Sequence, residues 1–469
     1  MKHRRSGKIV IAFAISMSYA TGRMAGPISN LSACLVLSLV ACASPNGGAD
    51  DEPRPDASGD GGGNGDASID PTTITVKLTE RTHSLDRFAA AYQDGTGAWA
   101  VAAPPVADTF SFVITSSNWS FTWACEGVSG GVTLAFAYVV SYAVTEKTAV
   151  TIPEQCPRAF TAIELSGTVS GTVAGGKYSM GWGERFGVSV VPASGTSFDY
   201  ELLRAAGSHD LYAGKVEIAG DMTTTTAVAI VRGVSASVDR SNINLDMTNA
   251  IATPPELPVT IQGVASEQTY ASTTLFDASG TQLDIARTRF RPPHATRGIA
   301  AAQMGPGSVY EQLVEAQWCP PSAFAGEYCD RRVVEQWRST IGAQTVTLPP
   351  PLGTVTTTPM GRAVRATWMP YPNAVGYTWV ANKGYYPEVA WHGTVGAAYA
   401  GTAPSFEIPD LSTLPGWDHF VPEPHGDSVI VGVVRAHVSS LGSSDFPFAY
   451  PAAPNADRLQ LEARIKIPY

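Results

Sequence analysis

The run Trp417-Asp-His-Phe-Val-Pro-Glu-Pro-His-Gly-Asp-Ser428 gathers Asp418, His419, Glu423, His425 and Asp427 within a dozen positions. Imidazoles and carboxylates are the ligands of zinc and related cations. With a serine beside them they are also the three groups of a nucleophilic triad. Pro422 and Pro424 deny the run a helix, so no fixed helical spacing brings two ligands onto one face. The expectation is a solvated loop, and a hydrolase reading rests on this loop alone. Gly127-Val-Ser129-Gly-Gly131 formally satisfies G-x-S-x-G. A nucleophile elbow needs a strand before the serine and a helix after it. Here a second strand begins at once, at Val132, which predicts a hairpin turn. His83, His209, His294, His392 and His437 stand apart from one another in sequence. The residues therefore point to no catalytic group, no cofactor and no metal.

Cysteines are the next reactive set. Two of the six, Cys34 and Cys42, lie near the start; the others are Cys125, Cys156, Cys319 and Cys329. Neither later pair has the C-x2–4-C spacing of a zinc site. In an exported chain an even set implies disulfides, and four cysteines allow three connectivities. The nearest-neighbour one, Cys125–Cys156 with Cys319–Cys329, keeps each bridge local. Closing a loop of about 30 residues contributes ~3–4 kcal/mol in the chain-entropy model.

Export is legible at the N-terminus. Basic residues open the chain, and the apolar runs Ile9–Ile15 and Leu31–Val40 follow. Each is shorter than the ~20 residues of a membrane-spanning helix. A basic start, an apolar core and small residues form the signal-peptide pattern. Leu39-Val40-Ala41-Cys42 resembles the bacterial lipobox, in which the cysteine becomes the lipidated first residue of the mature protein. Leu31-Ser32-Ala33-Cys34 fits the same pattern. Cys42 is preferred because the apolar core precedes it and a polar run follows. The resemblance implies residues 1–41 as signal peptide, a membrane anchor at Cys42, and a bacterial cell-envelope location. Ala43 after the cysteine implies the outer membrane. A 41-residue signal is long, and Met17 or Met24 are alternative starts.

Residues 42–71 read as a disordered acidic tether. Ile69 is the one sizeable aliphatic residue, and seven acids face the single base Arg54. Such a segment cannot offset its ordering entropy by burial. Asp60-Gly-Gly-Gly-Asn-Gly-Asp66 lacks a ligand at the third position of a calcium loop, Gly62. The five basic residues before Cys42 meet no acid, so the net charge of −10 becomes −15 for the remainder. A body this acidic repels phosphate backbones, so no nucleic-acid partner is expected.

The elements after Pro71 are strands. Ile74, Val76 and Leu78 share one face of 73–78, and Phe88 to Val101 reads as a hairpin about Asp94-Gly-Thr-Gly97. Trp119, Phe121, Trp123 and Cys125 alternate with Ser120, Thr122 and Ala124, the pattern of a half-buried strand. Val132 to Val144 is apolar nearly throughout, as in a central strand. Tyr310, Val314, Ala316 and Trp318 fit a strand better than the helix that Ser308-x-x-Glu311 could cap. No repeat of 20–50 residues is evident. The fold class expected is all-β, several β-sandwich domains in series after the tether. Boundaries fall at 72–158, 159–256, 257–350 and 351–469, the last two separated by the stiff Pro349-Pro350-Pro351.

Two resemblances refine this. "SGTVSG…FDYELLRAAGSHDLYAG" in the second region looks like the carboxypeptidase-regulatory, prealbumin-like sandwich, usually a structural spacer. Val364-Arg-Ala-Thr-Trp368 with Tyr371-Pro-Asn-Ala-Val-Gly-Tyr377 resembles the start of a fibronectin type III domain, which implies Trp368 and Tyr377 in an inter-sheet core.

The leading functional expectation is a non-enzymatic envelope lipoprotein displaying β-sandwiches for adhesion, binding or scaffolding. The alternative is a carbohydrate- or peptide-binding module in the last region, with Tyr385, Tyr386 and Trp391 as an exposed stacking face. A surface ligand, glycan or protein, would then be the partner besides the membrane.

Overall fold

The computed structural model describes residues 70–468 apart from 80–86, 130–131, 154–162, 183–188, 205, 221, 279–280, 289–291, 319–329, 361–362, 384–388, 421–428 and 439–456. The expected signal segment and nearly all of the expected tether, residues 1–69, lie outside the described residues. Within them the chain is β throughout, apart from single-turn helices at Met247–Asn249, Ala301–Gln303 and Ala397–Ala400.

Thr72–Thr79 shows how the first sandwich forms. Its alternate residues Ile74, Val76 and Leu78 are fully buried, because side chains two apart share a face. The strand lies between Thr109–Ile114, antiparallel, and Ala149–Pro153, parallel. Facing it is a larger sheet in the order Ala100–Val101, Arg87–Asp94, Asn118–Ser129, Val132–Ala143. The expected hairpin and the expected aromatic alternation are both present. Trp119, Phe121 and Trp123 fill the space between sheets with Phe110, Phe112 and Tyr138. Phe112 stacks on Phe121 at 6.0 Å, and Trp123 on Tyr138 at 5.0 Å. Fully burying one such side chain stabilises by roughly 1.5–3 kcal/mol.

The same strand order then occurs twice more. Ile163–Ser170 lies between Ser197–Arg204, antiparallel, and Leu245–Asp246, parallel. Leu257–Gln262 lies between His294–Thr296, antiparallel, and Gln344–Thr347, parallel. The second larger sheet runs Ser189–Pro192, Lys177–Gly181, Gly207–Ala219, Met222–Ala236. The third runs Gln282–Thr288, Gln268–Phe276, Val309–Trp318, Asp330–Arg338. Ser308 and Glu311 thus flank and enter a strand, as expected from Tyr310 and Val314. The fourth sandwich is wired differently. Ala363–Trp368 pairs antiparallel with both Val355–Met360 and Ser405–Ile408. Opposite them run Val389–Gly396, Gly376–Lys383, Val429–His437 and Asp457–Pro468.

The four larger sheets join edge to edge. Met222–Ala236 meets Gln282–Thr288. Asp330–Arg338 meets Asp457–Pro468 over Arg331 to Gln336. Val389–Gly396 lies parallel to Val132–Ala143. The spatial order is therefore second, third, fourth, first. Followed strand by strand, the pairings among the described residues run from Ser189–Pro192 to Ala100–Val101 without returning, with Ile251–Ala252 as a side branch. They make one open, continuous sheet rather than a barrel. Val132–Ala143 is the edge of its own sandwich and a central strand of this sheet; Phe136, Tyr138, Val140 and Tyr142 join the core of the first sandwich, and Ala135, Ala137 and Val139 join a buried cluster with the fourth.

Candidate functional site

The cluster that opened the sequence analysis divides cleanly where it is described. Trp417 and Phe420 are fully buried, while Asp418 and His419 project outward. His419 Nε2 lies 3.1 Å from Asp418 Oδ2, both side chains largely in water. Leu411 and Trp417 start backbone-bonded turns, Leu414 N donating to Leu411 O at 2.9 Å and Phe420 N to Trp417 O at 2.9 Å. The turn is held by its aromatics. They pack with Ala89, Ala91, Ala124 and Ala137, small residues on the outer face of the first sandwich. Trp391 Nε1 donates to Phe420 O at 3.2 Å and fixes the turn from the fourth sandwich. Glu423, His425 and Asp427 lie outside the described residues. Among the described residues no group of three or more His, Cys, Asp or Glu could hold a metal.

Trp391 corrects an expectation. It is 1% exposed, so its ring is not part of a stacking face. Its strand lies between Gly376–Lys383 and Val132–Ala143, and its ring lies 6.3 Å from that of Trp417. The neighbouring Gly and Pro suggested a turn tip; the long-range partner strand buries the position instead. Tyr385 and Tyr386 fall outside the described residues. Trp318, at the end of Val309–Trp318, is the exposed tryptophan at 48%. Its position beside Cys319 gave no such signal, because it continues the period of the buried Ala316.

Gly127 and Ser129 belong to the strand Asn118–Ser129, with Ser129 paired to Val132. A hairpin leaves no helix to form an elbow. Trp368 and Tyr377 meet edge-on at 5.2 Å inside the fourth sandwich, and both are buried. Cys125 is fully buried. Cys42, Cys156, Cys319 and Cys329 lie outside the described residues.

Several of the described histidines are packed inside the sandwiches. His294 Nε2 lies 2.6 Å from Thr269 Oγ1, linking the two sheets of the third sandwich, and burial holds its pKa below the ordinary value. His437 Nε2 lies 2.8 Å from Thr378 Oγ1 at a fully buried position. His209 meets Trp182 edge-on at 5.2 Å. His392 lies at the seam of the first and fourth sandwiches, treated below.

Charged residues lie at two of the junctions. Between the second and third sandwiches, Arg232 contacts Asp210 and the carbonyl of Gln303. Gln303 Nε2 donates to Val228 O at 2.8 Å. Beneath them Tyr212 and Val228 of the second sandwich pack with Leu275, Leu283 and Tyr310 of the third. Burial, then Asp277 and Asp210, push the Tyr212 phenol well above its ordinary pKa. Between the third and fourth, Arg332 donates to Pro349 O at 2.7 Å, Gly263 O at 3.0 Å and Glu267 Oε1 at 2.5 Å. Tyr371 Oη donates to Pro350 O at 3.1 Å. The polyproline linker is thereby clasped from both sides.

No family model matches this chain, and no curated protein matches it. Among solved structures, it is similar to a tetra-tandem repeat in the extending region of a large adhesion protein. That likeness is at 10% identity, covering 85% of this chain and 99% of the other, with a TM-score of 0.14. It is similar also to the Bacillus anthracis TIE protein at 7% identity, covering 85% of this chain and 66% of the other, with a TM-score of 0.13. Superpositions at such scores carry no argument about activity. The class defined by the strands themselves is that of all-β proteins built from several sandwiches in series.

Proposed function

We propose that this chain is a non-enzymatic lipoprotein of the bacterial cell envelope, lipidated at Cys42 and displaying its β-sandwiches for adhesion, binding or scaffolding. The observation that carries the display reading is the open sheet that runs through all four sandwiches. Every junction in it is filled: by Tyr212 and Leu275, by the Arg332 clasp, and by Trp417 on the alanine face. A body joined in this way holds its surfaces in fixed relation, as a scaffold requires. The anchor reading rests on the sequence around Cys42. A diacylated cysteine with a third chain would leave negligible detachment, at ~0.8 kcal/mol per buried methylene.

The edge-on contact of Trp368 with Tyr377 supports the fibronectin type III resemblance of the fourth sandwich. The outer-membrane location follows from Ala43, and the pairs Cys125–Cys156 and Cys319–Cys329 from spacing in an exported chain.

Metabolic labelling with a fatty acid tests the anchor. Wild-type protein is expected to carry label and sediment with membranes, and Cys42→Ser to lose both. Labelled Cys42→Ser overturns the assignment. Non-reducing mass mapping that finds free thiols at all four later cysteines overturns the disulfides.

A further inference from the structure

The first and fourth sandwiches lie far apart in sequence, yet they share a seam with a distinct chemical composition. Val132–Ala143 and Val389–Gly396 run parallel, in register from Ala135 opposite Val389 to Ser141 opposite Val395. His392 stands at the middle of this register, opposite Tyr138. Its ring stacks on Tyr138 with centroids 5.2 Å apart and planes at 22°, and lies 6.0 Å from Phe136. The side chain is 4% exposed. On its other flank Val380 is its strand partner. Among the described residues, Tyr138 of the first sandwich and Arg435 of Val429–His437 are titratable or charged groups beside it. Glu146 marks the end of the seam, accepting from Ala398 N at 2.6 Å and Tyr399 N at 3.2 Å. Lys147 stands 5.1 Å above the Tyr142 ring.

We propose that His392 makes the docking of the first sandwich on the fourth an acid-released latch. The neutral imidazole stacks on Tyr138 and holds the two strands together; the imidazolium is expelled, and the strands part. A cation at this position would be stripped of water and set near the Arg435 guanidinium, both unfavourable. Burial first, and Arg435 second, hold the imidazole pKa down to about 3. Once the seam opens, the ring returns to its ordinary value of 6.5. A depressed folded-state pKa gives docking its full strength above the open-state value. That strength declines as pH falls toward the docked value. The equilibrium shifts toward the open form by about tenfold per pH unit across that window, one proton being taken up. The latch does not depend on lipidation at Cys42.

Hydrogen exchange on the full chain tests it, with rates corrected for intrinsic pH dependence. The amides of Val132–Ala143 that face the fourth sandwich are expected to lose protection about tenfold per pH unit between pH 6 and 4. Those facing Asn118–Ser129, and those of Val309–Trp318, are expected to hold. His392→Phe keeps the aromatic stack without a titrating nitrogen and is expected to give a flat profile. Glu146→Gln is expected to keep the wild-type slope. A flat wild-type profile overturns the latch. So does an unchanged slope in His392→Phe, or a slope lost only in Glu146→Gln. If His392→Phe lacks seam protection at neutral pH, His392→Gln replaces it and must be flat. Loss of neutral protection in both variants also overturns the latch, since the ring would then be packing alone.

Discussion

Arg332 is the residue on which most of one junction converges. Its guanidinium satisfies two carbonyls and a carboxylate at a position 5% exposed. Removing one partner of a buried pair leaves the other charge desolvated, at a cost of about 3–5 kcal/mol. Arg332→Ala is therefore expected to lower stability by that amount in denaturant unfolding, with Arg332→Lys intermediate because an ammonium cannot fork to both carbonyls. The 417–420 turn gives a contrasting pair. Trp417→Ala empties a fully buried site and is expected to cost about 3–5 kcal/mol. Asp418→Ala at the neighbouring position is expected to change stability by less than about 0.5 kcal/mol. Equal effects in the two variants would mean that the turn is not held by its aromatics. Of the five chemistry-capable side chains in this run, only Asp418 and His419 belong to the described residues, and both lie at the surface. The sequence did not make legible that Trp417 and Phe420 point inward, because their alanine-lined partner surface lies in the first sandwich.

At the scale of elements, local periodicity carried well. Trp119, Phe121 and Trp123 announced their strand, and the all-β class followed from many such runs. Long-range pairing left no such trace. The apolar run from Val132 marks a central strand without naming its neighbour, and local sequence around Trp391 cannot show that Ala137, more than 250 positions earlier, is its strand partner. The threefold recurrence of one strand order was equally hidden. Its opening strands Thr72–Thr79, Ile163–Ser170 and Leu257–Gln262 share pairing but little residue identity. Close packing between elements can still be tested at one point. A Cβ built on Gly393 would lie 2.0 Å from the Trp379 ring, which itself stacks on Phe406 at 4.2 Å. Gly393→Ala must displace a ring clamped on its far side. Overpacking of this kind costs about 1–3 kcal/mol, and the expected readout is a lower midpoint of thermal unfolding with a disturbed near-UV spectrum.

At the scale of the molecule, chain length limits how the sheet is laid out. Residues 154–162 connect the first sandwich to the second, and fully extended they reach about 35 Å. In the sheet those sandwiches are separated by the third and fourth. Strands spaced about 4.8 Å apart put a flat layout at roughly 43 Å between Val132–Ala143 and Met222–Ala236. The right-handed twist of strands coils a sheet of this span. Small-angle scattering is expected to give a maximum dimension well short of four sandwiches laid end to end; a rod-like profile would contradict this.

The parallel pairing of first and last strands in three of the sandwiches has a mechanical consequence. In the first, Thr72–Thr79 lies beside Ala149–Pro153 and points the same way. Tension entering at residue 72 and leaving at residue 153 acts on opposite ends of these two neighbours. It loads their hydrogen bonds in shear, all at once, instead of peeling them one by one. A chain held at its N-terminal side and drawn by its more distal parts would thus load each of these three sandwiches in shear.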